Sequence, residues 1–503
     1  MPSAPGPSSF ADAVERRRRL GAWYTPPTLV DHVVAAAIPA VPLGGERVSV
    51  LDPACGDGRF LLSAARRVRS LGGVPVLVGV DVDRGAVQVA RRSLRDEDAT
   101  VFHDDALTRQ WGRQRFDVVV GNPPFLSQLA AATTRGGASR HGGGPYANAA
   151  VEFLALAARL ARERGGRVGL VLPLSVLSSR DAAPVRRDVR SRAELCWLWW
   201  SPTPVFDAAV RTCALGFENG GAAAEEVPRT VGPDFAPADP LARSVAAAVE
   251  HWGKWVADAL GVPPLGDLAE CGELVDHAAL NANFRDEYYA LTKAVREREG
   301  PDDDAPRLVT SGLIDPGSCM WGEVPVRFAK RQFLCPVVDL SLLDERMSAW
   351  AARKLVGKVL VATQTRVLEA VADPAGAWLP GVPVITAVPL DGQDLWPVAA
   401  VLTSPVASAW VAARGAGSGL AASAVRVSVS TLGQLPWPAG ELDRATRALR
   451  AECVEECGVE VTRAYGLQPH VGEAAAVVSW WTAEIRRRSA ARERLVRRLP
   501  PRR

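Results

Sequence analysis

Asn122-Pro123-Pro124-Phe125 is the stretch of this chain best suited to chemistry. An Asn side-chain oxygen and a Pro-held backbone carbonyl can both accept hydrogen bonds from one exocyclic amine. A neighbouring aromatic ring can stack on the base that carries it. The tetrapeptide closes an apolar run, residues 117–121, so it falls at the carboxyl end of an expected strand, where open α/β sheets hold their ligands. Alone, the same residues would equally make a Pro-Pro turn over a buried Phe.

Four upstream segments change that balance. Gly21-Ala22-Trp23-Tyr24-Thr25-Pro26 precedes an expected helix. Asp52-Pro53-Ala54-Cys55-Gly56-Asp57-Gly58 links a strand to a helix, and its glycines let the backbone approach a ligand that a Cβ would block. Asp81, followed by Val82 and Asp83, ends the next strand, where an acid can accept from both ribose hydroxyls. Asp104-Asp105-Ala106 follows a third strand, and an Asp there can accept from the amino group of an adenine ring. A dinucleotide site would use the glycine turn and Asp81 but leaves Asp52 and the turn at residue 122 without a role. An acidic start to the glycine loop disfavours pyrophosphate and suits an ammonium group. S-adenosylmethionine offers one, with a sulfonium, a ribose and an adenine.

The elements that must position these residues alternate. Strands are expected at 48–51, 76–80, 100–102, 116–120 and 168–172, with helices at 59–70, 83–94 and 149–164. Alternation of this kind predicts a parallel, Rossmann-like sheet with right-handed crossovers. Further strands are expected at 195–200 and 212–217, the second in a closing antiparallel hairpin. The Gly-rich stretch 134–144, with Arg135, Arg140 and His141, has no apolar period and reads as a mobile loop overhanging the cleft. Residues 1–20 read as a basic lead-in, 21–220 as the first folded domain and 221–244 as a linker. Residues 245–440 read as a second domain, and 441–503 as a helical, Arg-rich carboxyl segment.

Composition sets the outer bounds. The chain has 503 residues, room for two or three domains, with 48% hydrophobic and 23% charged residues, as in ordinary globular protein. Net charge is only +3, so overall charge announces no nucleic-acid binder. The local charge does more: residues 15–19 and 486–503 are dense in arginine, a pattern that suits phosphate contacts as well as a solvated surface. No apolar segment follows the basic start, and none reaches membrane-spanning length, so neither a secretory signal nor a membrane partner is expected. The eight cysteines are scattered; Cys453 and Cys457 are four apart without a second ligand pair, so no metal site is expected and reduced thiols are the default.

The five segments, in this order, resemble the S-adenosylmethionine-dependent DNA methyltransferases that modify the exocyclic N6 amine of adenine. The likeness is to the restriction–modification type, in which a target recognition domain follows the catalytic one. It is detailed over residues 21–217 and loose beyond. It implies a class I methyltransferase sheet with a carboxyl-terminal α+β recognition domain, S-adenosylmethionine as cofactor and double-stranded DNA as substrate. It also implies a cytoplasmic, nucleoid-associated location, and a restriction or phage-defence protein as partner. By resemblance, Tyr24, Thr25 and the loop holding Ala54, Gly56 and Gly58 would hold the methionine end, with Asp52 near its ammonium. Asp81 would take the ribose, with Val82 against the adenine ring, and Asp105 with Ala106 the adenine edge. Asn122 and the Pro123 carbonyl would grip the target amine, Phe125 would stack on the base beside Pro124, and Phe206 would close on its other face. The family often has Tyr where Phe125 stands; the ring survives and the hydroxyl is lost.

In the second domain, Asn281 with its neighbours, residues 327–331 and 353–358, and Gln364 and Arg366 carry the Arg, Asn and Gln chemistry that reads base edges. About twenty residues precede the first motif, too few for a nuclease domain, and no nuclease metal motif is visible downstream, so methylation without cleavage is expected. Methylation of a protein glutamine amide, or of an RNA base, would suit the same Asn-Pro-Pro-Phe turn.

Overall fold

The computed structural model describes residues 25–125, 139–145, 147–206, 210–282, 285–390, 392–417 and 425–497. The chain divides into two compact units, Met1–Trp255 and Val256–Arg503.

The first unit is built on a nine-stranded sheet. Its strands are β1 (Arg47–Asp52), β2 (Val74–Asp81), β3 (Ala99–His103), β4 (Val118–Gly121), β5 (Arg167–Pro173), β6 (Ala193–Trp200), β7 (Thr212–Asn219), β8 (Glu226–Val231) and β9 (Ala236–Ala242), in the order β3-β2-β1-β4-β5-β7-β6-β8-β9. β1 to β5 are mutually parallel, and β7 runs antiparallel to both β5 and β6. This order, with a reversed seventh strand, is the one expected from the resemblance to class I methyltransferases. The order reverses between β1 and β4, so their carboxyl ends border the crevice of a doubly wound sheet.

Local sequence accounts for the helices. α1 (Pro27–Ala37) starts on a proline at its first position, where a missing N–H costs nothing. α2 (Arg59–Ser70) begins after Gly58 at φ +85°, and α3 (Arg84–Ser93) is capped by Asp83, whose carboxylate accepts from the Gly85 N–H at 2.8 Å. α4 (Ala149–Leu160) is capped by Asn148 and is apolar nearly all round, which suits an interior helix. A further helix, α5 (Ala183–Arg190), leads into β6.

Residues 221–244, expected as a linker, instead carry β8 and β9. The tryptophan-rich β6 would otherwise be an exposed edge. β8 pairs with it over residues 198–200, and the Trp199 indole donates to the Gly232 carbonyl at 2.9 Å. The new hairpin is also pinned to α1: His32 stacks on Phe235 at 4.2 Å and shares a 2.9 Å hydrogen bond with Thr230.

The second unit is α+β. One four-stranded antiparallel sheet orders Ala278–Ala282, Val384–Pro389, Lys358–Ala362 and Ala370–Asp373; another joins Glu297, Pro336, Arg307 and Trp378 and their neighbours. Helices Asp443–Arg450, Val454–Ala464 and Gly472–Val496 follow. Among the described residues no single helix is long and apolar enough to cross a membrane.

Candidate active site

β1 ends on Asp52, which is 1% exposed. Its carboxylate turns back to accept from the Ala54 N–H at 3.0 Å, which shapes the start of the glycine loop. Burial pushes the Asp52 carboxyl well above the usual carboxylate range, and the nearby charges of Asp81 and Asp57 push the same way. A buried acid held beside other acids is a site that welcomes a cationic group. β4 passes close enough that a Cβ on Gly121 would stand 2.6 Å from Asp52 Oδ1. Gly121 is therefore what allows the following turn to reach the acid.

Asp81 organises the neighbouring wall. Its Oδ2 accepts from the Gly56 N–H and its Oδ1 from the Asp83 N–H, both at 2.8 Å. Desolvation nevertheless raises its pKa. Gly56 has φ +53°, and a Cβ there would meet nothing within 4 Å: the loop borders open space at this point. Val82, next along, is 55% exposed, an apolar side chain left uncovered beside the acid. The Asp104 N–H bonds to the Asp81 carbonyl at 3.1 Å, which joins the end of β3 to that of β2. Asp105 Oδ1 accepts from the Leu107 N–H at 3.0 Å, while Asp104 is held by Arg109 at 2.8 Å, a bond that lowers its pKa. The Ala106 methyl is buried and its carbonyl takes the Trp111 indole at 3.0 Å, so this residue lines the wall from within the core.

The turn at residue 122 joins this group through Thr25. The Asn122 amide nitrogen donates to the Thr25 hydroxyl at 3.0 Å, which directs the amide's two ends. Arg59, opening α2, reaches Asp57 with Nε at 3.0 Å and bonds the Thr25 carbonyl with Nη1. Arg59 was not singled out from sequence, yet it ties the first motif to the glycine loop. Thr25, Asp52, Gly56, Asp81 and Asn122 thus form one connected constellation. Tyr24 lies outside the described residues, as do residues 207–209.

Phe125 and Phe206 do come together, at 6.2 Å between ring centroids, but their planes meet at 85°. A base held between two faces needs those faces parallel. Phe206 is 9% exposed and belongs to the apolar core, so its expected place as the second stacking face is not the arrangement here.

The Gly-rich stretch is also different from the expected mobile loop over its described part, residues 139–145. Glu152 on α4, 3% exposed, accepts through Oε1 from Ser139 Oγ (3.0 Å) and the Gly143 N–H (2.8 Å). Through Oε2 it accepts from the Arg140 (3.0 Å) and His141 (2.7 Å) N–H groups. The Gly143 Cα approaches so closely that a Cβ would stand 2.3 Å from Oε1. The His141 ring then bonds the Leu107 carbonyl at 3.1 Å, linking this loop to the Asp105 turn. A lone Glu in an apolar helix pattern was the available signal for this clamp.

In the second unit several of the expected base readers are otherwise engaged. Lys354 is buried against Asn281 Oδ1 (3.0 Å) and Thr386 (3.1 Å), and Lys358 is buried against Asp373. Arg366 pairs with Glu484. Much of the described arginine-rich tail is likewise committed: Arg486 pairs with Glu455, and Arg488 and Arg492 with Asp315. Those side chains hold the last helix to its own unit instead of lying free for phosphates. Among the described residues no cluster of three or more His, Cys, Asp or Glu could hold a metal ion.

Comparison with known proteins finds likenesses to the first unit. Residues 8–215 match the model of the N-6 DNA Methylase family. Modification methylase CviBIII of Paramecium bursaria Chlorella virus NC1A is 20% identical over 205 residues, 41% of this chain and 51% of that protein. Type II methyltransferase M.VspI of Vibrio sp. (strain 343) is 27% identical over 119 residues, 22% of this chain and 27% of that protein. A modification subunit of a putative type I restriction enzyme from Vibrio vulnificus YJ016 superposes with TM-score 0.35 and 21% identity, covering 44% of this chain and 51% of that one. The chain thus spans about half the length of the first of these curated relatives and about a quarter of the second. The family match thus lies within the first unit and takes in β1 to β6 and the start of β7.

Proposed function

We propose that this chain is a site-specific DNA methyltransferase that transfers a methyl group to the N6 amine of an adenine in double-stranded DNA. The observation that carries the reading is the tie between Asn122 and Thr25, beside the close approach of Gly121 to Asp52. Together they set an amine-gripping turn at the rim of an acid-lined crevice.

The crevice fits S-adenosylmethionine by the chemistry of its donors: a buried acid for an ammonium, an acid for ribose hydroxyls, an exposed valine for an adenine face, and open space at Gly56. Thr25, Asp52, Ala54, Gly56 and Gly58 would hold the methionine end, Asp81 and Val82 the nucleoside, and Asp105 with Ala106 the adenine edge. When bound, this cofactor supplies a methyl group on a cationic sulfur. The target base must leave the duplex to reach the turn, at a cost of a few kcal/mol. The Asn122 side-chain oxygen and the Pro123 carbonyl then accept the two amine protons. Those bonds draw the amine lone pair out of conjugation with the ring and aim it into the crevice. Phe125 offers its face to the base beside Pro124, and Phe206 braces that ring edge-on. Positioning and fixed dipoles carry the acceleration, and no strong base is required, because the amine sheds its proton after becoming cationic.

The second unit would choose the site on DNA, and the chain would act in the cytoplasm at the nucleoid, within a restriction–modification or phage-defence system. The test is incubation with methyl-labelled S-adenosylmethionine and unmethylated genomic DNA, total RNA or total protein. Label on DNA adenine is expected; label on RNA or on protein glutamine but not on DNA would reject the reading. Asn122→Ala should lower transfer by about 10²–10³-fold while cofactor binding persists. Loss of cofactor binding in a folded variant would show that its role has been misplaced.

A further inference from the structure

In the second unit, Val326–Phe328 and Arg331–Phe333 form a two-stranded hairpin separate from the larger sheets. Val326 pairs with Phe333, Arg327 with Gln332 and Phe328 with Arg331. One face is fixed: Phe328 and Phe333 are each 3% exposed and pack in a core with Leu308, Met347 and Trp350. The other face carries Arg327 and Gln332 directly opposite each other, both exposed. The two-residue turn is Ala329-Lys330, with φ +47° and +65°. Both central residues of a tight hairpin turn need positive φ, and Asn-Gly is the usual choice. Here an alanine and a lysine hold that conformation, and the lysine is exposed at the tip.

This hairpin differs from several of the unit's other basic side chains. Arg366, Arg486, Arg488 and Arg492 all lie in ion pairs, whereas Arg327, Lys330 and Arg331 have no carboxylate partner among the described residues. Arg331 lies over the Phe333 ring at 4.9 Å, which keeps its charge at the base of the ribbon. The result is a cationic ribbon anchored by two phenylalanines, with an Arg and a Gln side by side on its free face. A two-stranded ribbon fits the major groove of B-DNA, where Arg is bidentate to guanine and Gln to adenine. Residues paired across strands stand roughly 5 Å apart, close enough to address neighbouring base pairs.

We propose that residues 326–333 are a base-reading ribbon that enters the major groove of the DNA, with Arg327 and Gln332 specifying adjacent positions of the recognised site and Lys330 on a phosphate. This deepens the reading of the chain as a DNA methyltransferase and rests on it. The test uses the full chain on unmethylated genomic DNA, with the methylated adenines located by sequencing. Wild type should modify one recurrent sequence. Arg327→Ala and Gln332→Ala should each lower kcat/KM on that sequence by about ten- to a hundredfold and admit other bases at one position, the two positions being neighbours. Arg327→Lys, which keeps the charge and removes the fork, should relax the same position as Arg327→Ala. Lys330→Ala should weaken binding to all sequences alike and reduce the salt slope of log K by about 1. Thermal melting of the full chain and binding of S-adenosylmethionine should both stay at the wild-type values in all four, which reports that each unit is folded. Variants that bind cofactor and methylate the wild-type sequence with wild-type efficiency would overturn the ribbon while leaving the activity standing. A wild-type chain that labels no DNA would overturn the underlying activity, and the ribbon with it.

Discussion

Glu152→Gln is the most revealing single-atom change in the first unit. The carboxylate receives two hydrogen bonds on each oxygen, from Ser139 and Gly143 on one and from Arg140 and His141 on the other. An amide keeps one oxygen and turns the other into a donor, so two bonds are lost and an NH₂ group confronts two donors. Hydrogen bonds to a charged acceptor contribute about 1.5–3 kcal/mol each, which gives about 3–6 kcal/mol for the two. The loop can undock and be hydrated before the whole cost is felt, so the lower figure is the one to expect. A loss of about 3 kcal/mol in docking raises the open population by about a hundredfold. Amide hydrogen exchange at residues 140, 141 and 143 should accelerate by that factor, while the core strands β4 and β5 exchange as before. Because His141 bonds the Leu107 carbonyl, and the Leu107 N–H bonds Asp105, loosening should pass to the proposed adenine pocket. KM for S-adenosylmethionine should therefore rise more than kcat falls. Unchanged exchange at these three amides in a folded variant would refute the clamp. A lowered kcat with an unchanged KM would refute its link to the cofactor.

Three further outcomes follow from particular contacts. Burial raises the Asp52 carboxyl above its unfolded value, so the folded state holds that proton more tightly. The stabilisation is complete below about pH 4 and is lost as pH rises through the raised folded value. Asp52→Asn should therefore melt above wild type at neutral pH, with the gap closing in acid, while S-adenosylmethionine affinity falls at least about tenfold (~1.4 kcal/mol); a lower melting temperature at pH 7 would contradict this. Gly121→Ala drives a Cβ against Asp52 and should cost about 1–3 kcal/mol in thermal melts, with transfer lost even where cofactor still binds. In the second unit, Lys358→Met leaves the fully buried Asp373 without its 2.5 Å partner and should cost about 3–5 kcal/mol by urea denaturation; adding Asp373→Asn, which removes the charge and keeps an acceptor for one of the Ala377 and Trp378 N–H groups, should recover part of it.

How much of this was legible beforehand depends on the range of the forces involved. The strands and helices of the first unit follow from local apolar patterning, and the expected strand at 76–80 is the core of the observed 74–81. The glycine turn and the acids at strand ends were visible because backbone approach and charge are written in single residues. Phe206 reads the same in sequence whether it faces a cleft or a core, and only its packing separates the two. Residues 221–244 looked like a linker because prolines interrupt β8 and β9 and glycines flank β8. Their stability comes from the open edge of β6 and from His32, nearly two hundred residues away.

The amino-acid order alone determined the chemical vocabulary: which residues could grip an amine, accept from a ribose or surround a cation, and in what succession along a parallel sheet. Tertiary structure decided which of those groups are free to use it. Ion pairs consumed the arginines of the last helix from Arg486 to Arg492, Glu152 drew in residues 139–143, and the hairpin at 326–333 kept its cations exposed. Pairing of that kind joins residues far apart in the chain through distances of a few ångströms, and no local pattern encodes it.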